Sequence, residues 1–161
     1  MLKAVFQKLK EWSVAVSLEK RYTKEEIITM YLNQFDFLYN AVGIENAARV
    51  YFDKRPKDLS KAEAATLIGL CKNPTIFNPY TYQIKNYRAK IADNKGIALS
   101  AVTKEEILAA RAKDSTIAHS RRNQVLFQWL KNSEKGNEAL RTKITREEYN
   151  KLIQTPIVIR Y

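Results

Sequence analysis

The chain is poor in several residue types, and each shortage excludes something. It has one cysteine, Cys71, among 161 residues, which excludes an internal disulfide framework and a Cys-rich zinc site. It has one histidine, His119, which excludes a multi-His metal site and leaves little for Ser/His or Cys/His catalysis. With 4 Gly and 4 Pro it is neither collagen-like nor low in complexity. No run of about 18 apolar residues occurs, so the sequence holds no transmembrane helix. The charged opening, MLKAVFQKLKEW, lacks the apolar stretch of a signal peptide. Any chemistry falls to carboxylates and lysines.

What the chain has is helical signal and positive charge. The hydrophobic fraction of 45% against 28% charged residues suits a core-forming chain. The net charge is +11, unevenly spread. Residues 1–60 carry 10 basic and 8 acidic side chains, whereas residues 61–161 carry 18 and 9. The basic C-terminal portion reads as a surface for phosphates or as an ordinary solvated face.

Four words place Ser or Thr three residues before Glu: Thr23–Glu26, Ser60–Glu63, Thr103–Glu106 and Thr145–Glu148. Each spacing fits a capping box that starts a helix. Helices are expected over about 2–21, 24–33, 43–52, 61–71, 83–93, 104–113, 121–131 and 146–154. Residues 34–42 are expected to be irregular, 72–82 a loop, and Asn94–Gly96 a turn. The closing Pro156–Tyr161 (PIVIRY) reads as a strand whose partner lies in another domain.

The first helix is the most informative. Leu2, Val5, Phe6, Leu9, Trp12 and Val16 form one apolar stripe at about 100° per residue. Glu11 points away from it, toward Val14, Ala15 and Leu18, and so lies at the edge of a region expected to be buried. Lys8 is one turn back, near enough to pair with it. A half-buried carboxylate beside a lysine is a candidate functional site; the alternative is an ordinary surface ion pair.

Across Gln7–Pro79 an ordered set of words resembles glycosyltransferase family 51, the peptidoglycan glycosyltransferase domain of class A penicillin-binding proteins. The family's R-K-x-x-E word reads Gln7-Lys8-Leu9-Lys10-Glu11 here. Lys24–Ile27 and Tyr31–Asn33 resemble its "KEEI…YLN". Residues Phe35–Phe52 resemble "VYFGxxAYGIxxAAxxYF", and Leu59–Leu70 with Asn73-Pro74 and Phe77–Pro79 resemble "LSxxEAAxLxGLxxxPxxYNP". Arg121–Leu126 is similar to the family's "RRNxVL". Departures are Gln7 for Arg, Leu38 for Gly and Val42 for Tyr. The family's E-D-x-x-F-x-x-H and G-G-S-T-I-x-Q-Q words do not occur in the 161 residues.

The resemblance implies an all-α, lysozyme-like glycosyltransferase domain, of which residues 1–132 form the C-terminal part, with an insertion over 83–120. Residues 133–161 are then an exit segment toward a linker and transpeptidase domain. It implies polymerisation of lipid II onto a growing glycan chain, with inversion and loss of undecaprenyl pyrophosphate. Lys8 would neutralise diphosphate charge. Glu11 would be the second carboxylate, orienting a cation or a divalent Mg or Mn ion, or simply holding Lys8. The main base would lie outside this chain, which alone is expected to be inactive. Asn33, Asn40 and Gly43 would line the cleft. The parent protein would sit at the cytoplasmic membrane, anchored by a preceding helix, with this domain on the outer face.

Two other readings stay open. One is a basic binding module for nucleic acid or an anionic membrane, carried by Arg121, Arg122, Lys131, Lys135, Arg141, Lys143 and Arg146. The other is a non-catalytic remnant that binds a partner. No recognition-helix or nucleic-acid-binding motif is present, so no nucleic-acid partner is expected.

Overall fold

The computed structural model describes residues 2–80 and 86–160, with backbone alone for Leu2, Ala4 and Val5. It contains helices α1 (Leu2–Arg21), α2 (Lys24–Gln34), α3 (Ile44–Phe52), α4 (Lys61–Leu70), α5 (Pro74–Phe77), α6 (Tyr87–Lys95), α7 (Lys104–Glu134) and α8 (Arg146–Gln154). No helix among the described residues is long and apolar enough to cross a membrane.

The Ser/Thr-x-x-Glu words start helices where the spacing requires. Thr23, Ser60 and Thr103 form complete capping boxes, the cap oxygen accepting from the Glu N–H and the Glu carboxylate accepting from the cap N–H. The fourth is only half formed. Thr145 Oγ1 accepts from the Glu148 N–H, but the Glu148 carboxylate turns to Lys61 Nζ at 2.7 Å. A tertiary ion pair has taken the group that the local motif would use, and it ties α8 to the start of α4.

The two helices expected over 104–113 and 121–131 are one continuous helix of 31 residues. The intervening Asp114–Ser120 is weak in helix propensity, and tertiary packing overrides that weakness. Ala118 is buried against Tyr87 and Ile157, and Asp114 accepts from the Tyr87 hydroxyl at 3.1 Å. Thr116 donates its hydroxyl to Ala112 O at 2.9 Å, an i−4 bond that the helix accommodates. The expected loop after α4 holds the one-turn α5, capped by Asn73 Oδ1, which accepts from the N–H groups of Thr75 and Ile76. The helix expected at 83–93 is described from Tyr87 to Lys95; residues 81–85 lie outside the described residues.

Among the described residues the core has two apolar centres. Phe37, Ala41, Ala47, Ala48, Tyr51, Phe52, Leu67 and Leu70 form the larger one, from α3, α4 and the segment before α3. Tyr87, Ala118 and Ile157 form the smaller. Ile159 packs against both. The small residues of α4 let it lie close along α7, where a Cβ on Gly69 would stand 3.3 Å from Arg121 Cγ.

The closing segment is not a strand. Among the described residues the only β-type pairing is an isolated bridge between Asp36 and Val42. Residues 155–160 are extended and lie on the body instead. Arg122, 1% exposed, donates to Ile153 O at 2.9 Å and to Thr155 O. The Ile157 N–H donates to His119 Nε2 at 3.4 Å, and the Arg160 N–H to Tyr51 O at 3.0 Å. Ile157 and Ile159 pack into the apolar seam between the two centres.

Candidate functional site

The residues singled out from the sequence fall into two places. Lys8 and Glu11 are on α1, where their three-residue spacing puts them on one face. Lys8 Nζ donates to Glu11 Oε2 at 2.6 Å. Glu11 is not half-buried, as its apolar helical neighbours suggested. Its side chain is 51% exposed and that of Lys8 79%, and every described side chain of α1 is exposed. The reason is positional: α1 meets the body chiefly at α2, so nothing among the described residues covers Val14, Ala15 or Leu18. The concavity beside the pair is lined by Lys8, Leu9, Glu11, Trp12 and Ala15, all from α1.

The second place is the turn between α2 and α3. The Phe37 N–H donates to Ala41 O, the Ala41 N–H to Leu38 O, and the Gly43 N–H to Phe35 O, at 2.9–3.0 Å. Asp36 Oδ1 accepts from the Leu38 N–H at 2.8 Å. Leu38, Tyr39 and Asn40 all have positive φ, at 69°, 52° and 62°. Asn tolerates that region, but Leu and Tyr do so at a cost of about 1–3 kcal/mol each. Leu38, which stands where the resembling motif has glycine, thus adopts a conformation that glycine takes without strain.

Gly43 is required for two reasons. Its φ is 83°, and a Cβ there would stand 2.7 Å from Asn33 O. Asn33 and Gly43 are thus brought together, α2's end lying against the start of α3. The side chains of Asn33 and Asn40 are exposed. Among the described residues no hydrogen bond or ion pair joins Asn33, Asn40 or Gly43 to Lys8 or Glu11.

The turn is held from below by residues the sequence did not single out. Tyr51 Oη donates to Phe37 O at 2.6 Å. Asn78 Nδ2 donates to Tyr51 Oη at 2.6 Å and reaches Phe37 O at 3.4 Å. Asn78 Oδ1 accepts from the Tyr80 N–H at 2.9 Å. Burial pushes the Tyr51 hydroxyl up to about 12, against the Asn78 hydrogen bond, which favours the ionised form. Tyr51 therefore stays protonated and remains a donor. Tyr51 and Asn78 belong to quoted motif words, but their meeting across 27 residues has no short-range signature.

Other reactive side chains serve the fold. Glu63 completes its cap and also accepts from Lys54 Nζ at 2.8 Å. Burial alone would raise its carboxyl, but the Lys54 ammonium and the Ser60 donors outweigh it and hold the group below the ordinary value. Cys71 is half-buried and its thiol is pushed up to about 11 by that burial, so it is a poor nucleophile. Tyr80 packs against Tyr39 with ring centres 4.5 Å apart. Of the seven basic residues weighed as a binding face, Arg122 is buried. Arg121 donates to Gly69 O and Gln124, Arg141 pairs with Glu25 and Arg146 with Glu134. Arg141 and Arg146 thus meet carboxylates, whereas the acceptors of Arg121 are neutral oxygens.

A divalent ion would find few ligands here. No group of three or more His, Cys, Asp or Glu side chains that could hold one occurs among the described residues, and Glu11 is already engaged by Lys8. These residues do not build a metal site of their own.

The chain is similar to known proteins. The sequence model of the Transglycosylase family matches residues 2–100. Penicillin-binding protein 1A of Vibrio cholerae is 36% identical over 112 residues, 69% of this chain and 14% of that relative. Penicillin-binding protein 2a of Streptococcus pneumoniae is 43% identical over 75 residues, 47% of this chain and 10% of that relative. The crystal structure of penicillin-binding protein 1A from Haemophilus influenzae aligns with a TM-score of 0.54 and 28% identity, covering 86% of this chain and 14% of that one. This chain therefore spans about a seventh or less of their length. Its all-α architecture is the lysozyme-like fold expected from the sequence. The α1 pair, the α2–α3 turn and α4 all lie inside the matched region, and the chain belongs to the Transglycosylase family.

Proposed function

We propose that these residues are part of a peptidoglycan glycosyltransferase that polymerises lipid II into glycan strands and releases undecaprenyl pyrophosphate. The observation that carries the proposal is the Lys8–Glu11 pair, at 2.6 Å on an open helix face within the region matched by the Transglycosylase model. The reaction needs a base for the acceptor 4-hydroxyl and cations for the departing diphosphate. Lys8 is the cation. Glu11 holds its ammonium toward the leaving group and is the second carboxylate of the site. Asn33 and Asn40 offer amides to the sugars, and Gly43 lets the two flanking segments approach.

The main base is a carboxylate from a segment preceding these residues. It deprotonates the acceptor hydroxyl, whose oxygen attacks the anomeric carbon with inversion as the diphosphate leaves. In the parent protein the domain stands on the outer face of the cytoplasmic membrane, with residues 133–161 leading toward a transpeptidase domain.

The test is polymerisation of lipid II by the full-length protein carrying Lys8→Ala or Glu11→Gln. Each is expected to lower the rate by about 100-fold or more, as for loss of a charge-stabilising group at the reacting centre. Rates within about three-fold of the unsubstituted protein, a difference under 1 kcal/mol, would exclude these roles.

A further inference from the structure

Two polar side chains sit where the larger apolar centre would accept Phe and Leu. Tyr51 is fully buried and Asn78 is 2% exposed. Burying a hydroxyl and an amide is unfavourable unless each finds partners. Here the partners converge on one atom: the Phe37 carbonyl accepts from Tyr51 Oη at 2.6 Å and from Asn78 Nδ2 at 3.4 Å. That carbonyl opens the turn whose next three residues all have positive φ. The local hydrogen bonds of the turn do not account for the choice of Leu and Tyr at such positions, so the conformation must be imposed by its surroundings.

Resting on the glycan-transfer reading above, we infer that Tyr51 and Asn78 are positioning residues. Their hydroxyl–amide pair clamps the Phe37 carbonyl and holds the Leu38–Asn40 turn in the form that offers the Asn40 amide to a sugar-bearing substrate. The clamp reaches the turn from 14 and 41 residues away, whereas the exposed Asn40 side chain lies on the turn itself. Neither Tyr51 nor Asn78 touches substrate. Their effect is on the population of the turn that binds it, so it belongs to substrate affinity rather than to the chemical step.

The experiment uses the full-length protein with Tyr51→Phe, Leu38→Gly and the double variant. Steady-state kinetics on lipid II are combined with hydrogen exchange at the Phe37 and Ala41 amides. Tyr51→Phe should raise KM by about 3- to 10-fold, the fold-change of one lost hydrogen bond, and change kcat by less than about two-fold. Both amides should exchange faster. Glycine at position 38 adopts positive φ without the clamp, so the double variant should return to the KM of Leu38→Gly alone. A purely structural tyrosine would give no such rescue. An unchanged KM despite faster exchange, unchanged exchange, or a raised KM that Leu38→Gly does not reverse would each overturn the inference. Absence of lipid II turnover by the unsubstituted protein would defeat the proposed reaction and the positioning role with it, while leaving any exchange difference in place.

Discussion

α1 and α4 are helices of opposite character within one chain. α4 is ten residues long and buries six of them, Ala62, Ala65, Thr66, Leu67, Gly69 and Leu70. α1 is twice as long, and every described side chain on it is exposed, with Trp12 at 71%. α4 lacks a polar face because α3, α5, α7 and α8 surround it. α1 carries apolar residues too, and among the described residues it packs chiefly against α2. Burial explains α4's residues; it does not explain α1's. The lesson is that the body of this chain positions the α2–α3 turn, whereas the orientation of Lys8 and Glu11 depends on whatever meets α1.

That contrast can be broken most forcefully in the body. Leu67 is 1% exposed, and Leu67→Ala should lower the unfolding free energy in urea by about 2–5 kcal/mol. A cost below about 1 kcal/mol would mean that the larger apolar centre is not the source of stability.

A smaller effect belongs to Glu63, which joins the α4 cap to Lys54. Its folded carboxyl is held below the ordinary value of 4.5. The stabilisation is therefore complete above the unfolded value and lost as pH falls through the lower folded one. Glu63→Gln keeps the capping geometry but loses the ion pair. It should cost about 1 kcal/mol at neutral pH, and the gap to the unsubstituted protein should close on acidification below the ordinary carboxyl range. A gap independent of pH contradicts this assignment.

The smallest effect is the most discriminating for α1. Trp12→Ala should change the unfolding free energy by under about 0.5 kcal/mol. If calorimetry of the intact protein shows a loss comparable to that at Leu67, α1 is covered there by another part of the molecule, and Lys8 and Glu11 are set by that cover.

The helical map was largely legible because its signals are local. A hydroxyl and a carboxylate three residues apart state where a helix begins, and Thr23, Ser60 and Thr103 behave accordingly. Where tertiary contacts intervene, local reading fails. Glu148 leaves its box for Lys61, and Asp114–Ser120 stays helical because Tyr87 and Ile157 pack there. The same division holds at the site. The Lys8–Glu11 pairing follows from helical spacing, but its exposure depends on neighbours that spacing does not reveal. Leu38 was visible as a residue standing in a glycine's place. The clamp beneath it was not, because Phe37, Tyr51 and Asn78 meet only after α3 and α4 have folded.

The docking of residues 155–160 has a consequence for how this stretch changes over time. Arg122 grips the carbonyls of Ile153 and Thr155, His119 takes the N–H of Ile157, and Tyr51 O takes the N–H of Arg160. All four bonds are to main chain, which every residue but proline offers at the donor positions. Ile157 and Ile159 need to remain apolar, whereas Val158, 60% exposed, is free to vary. The path of the segment can thus persist while most of its letters drift, so sequence divergence here is a poor measure of structural divergence.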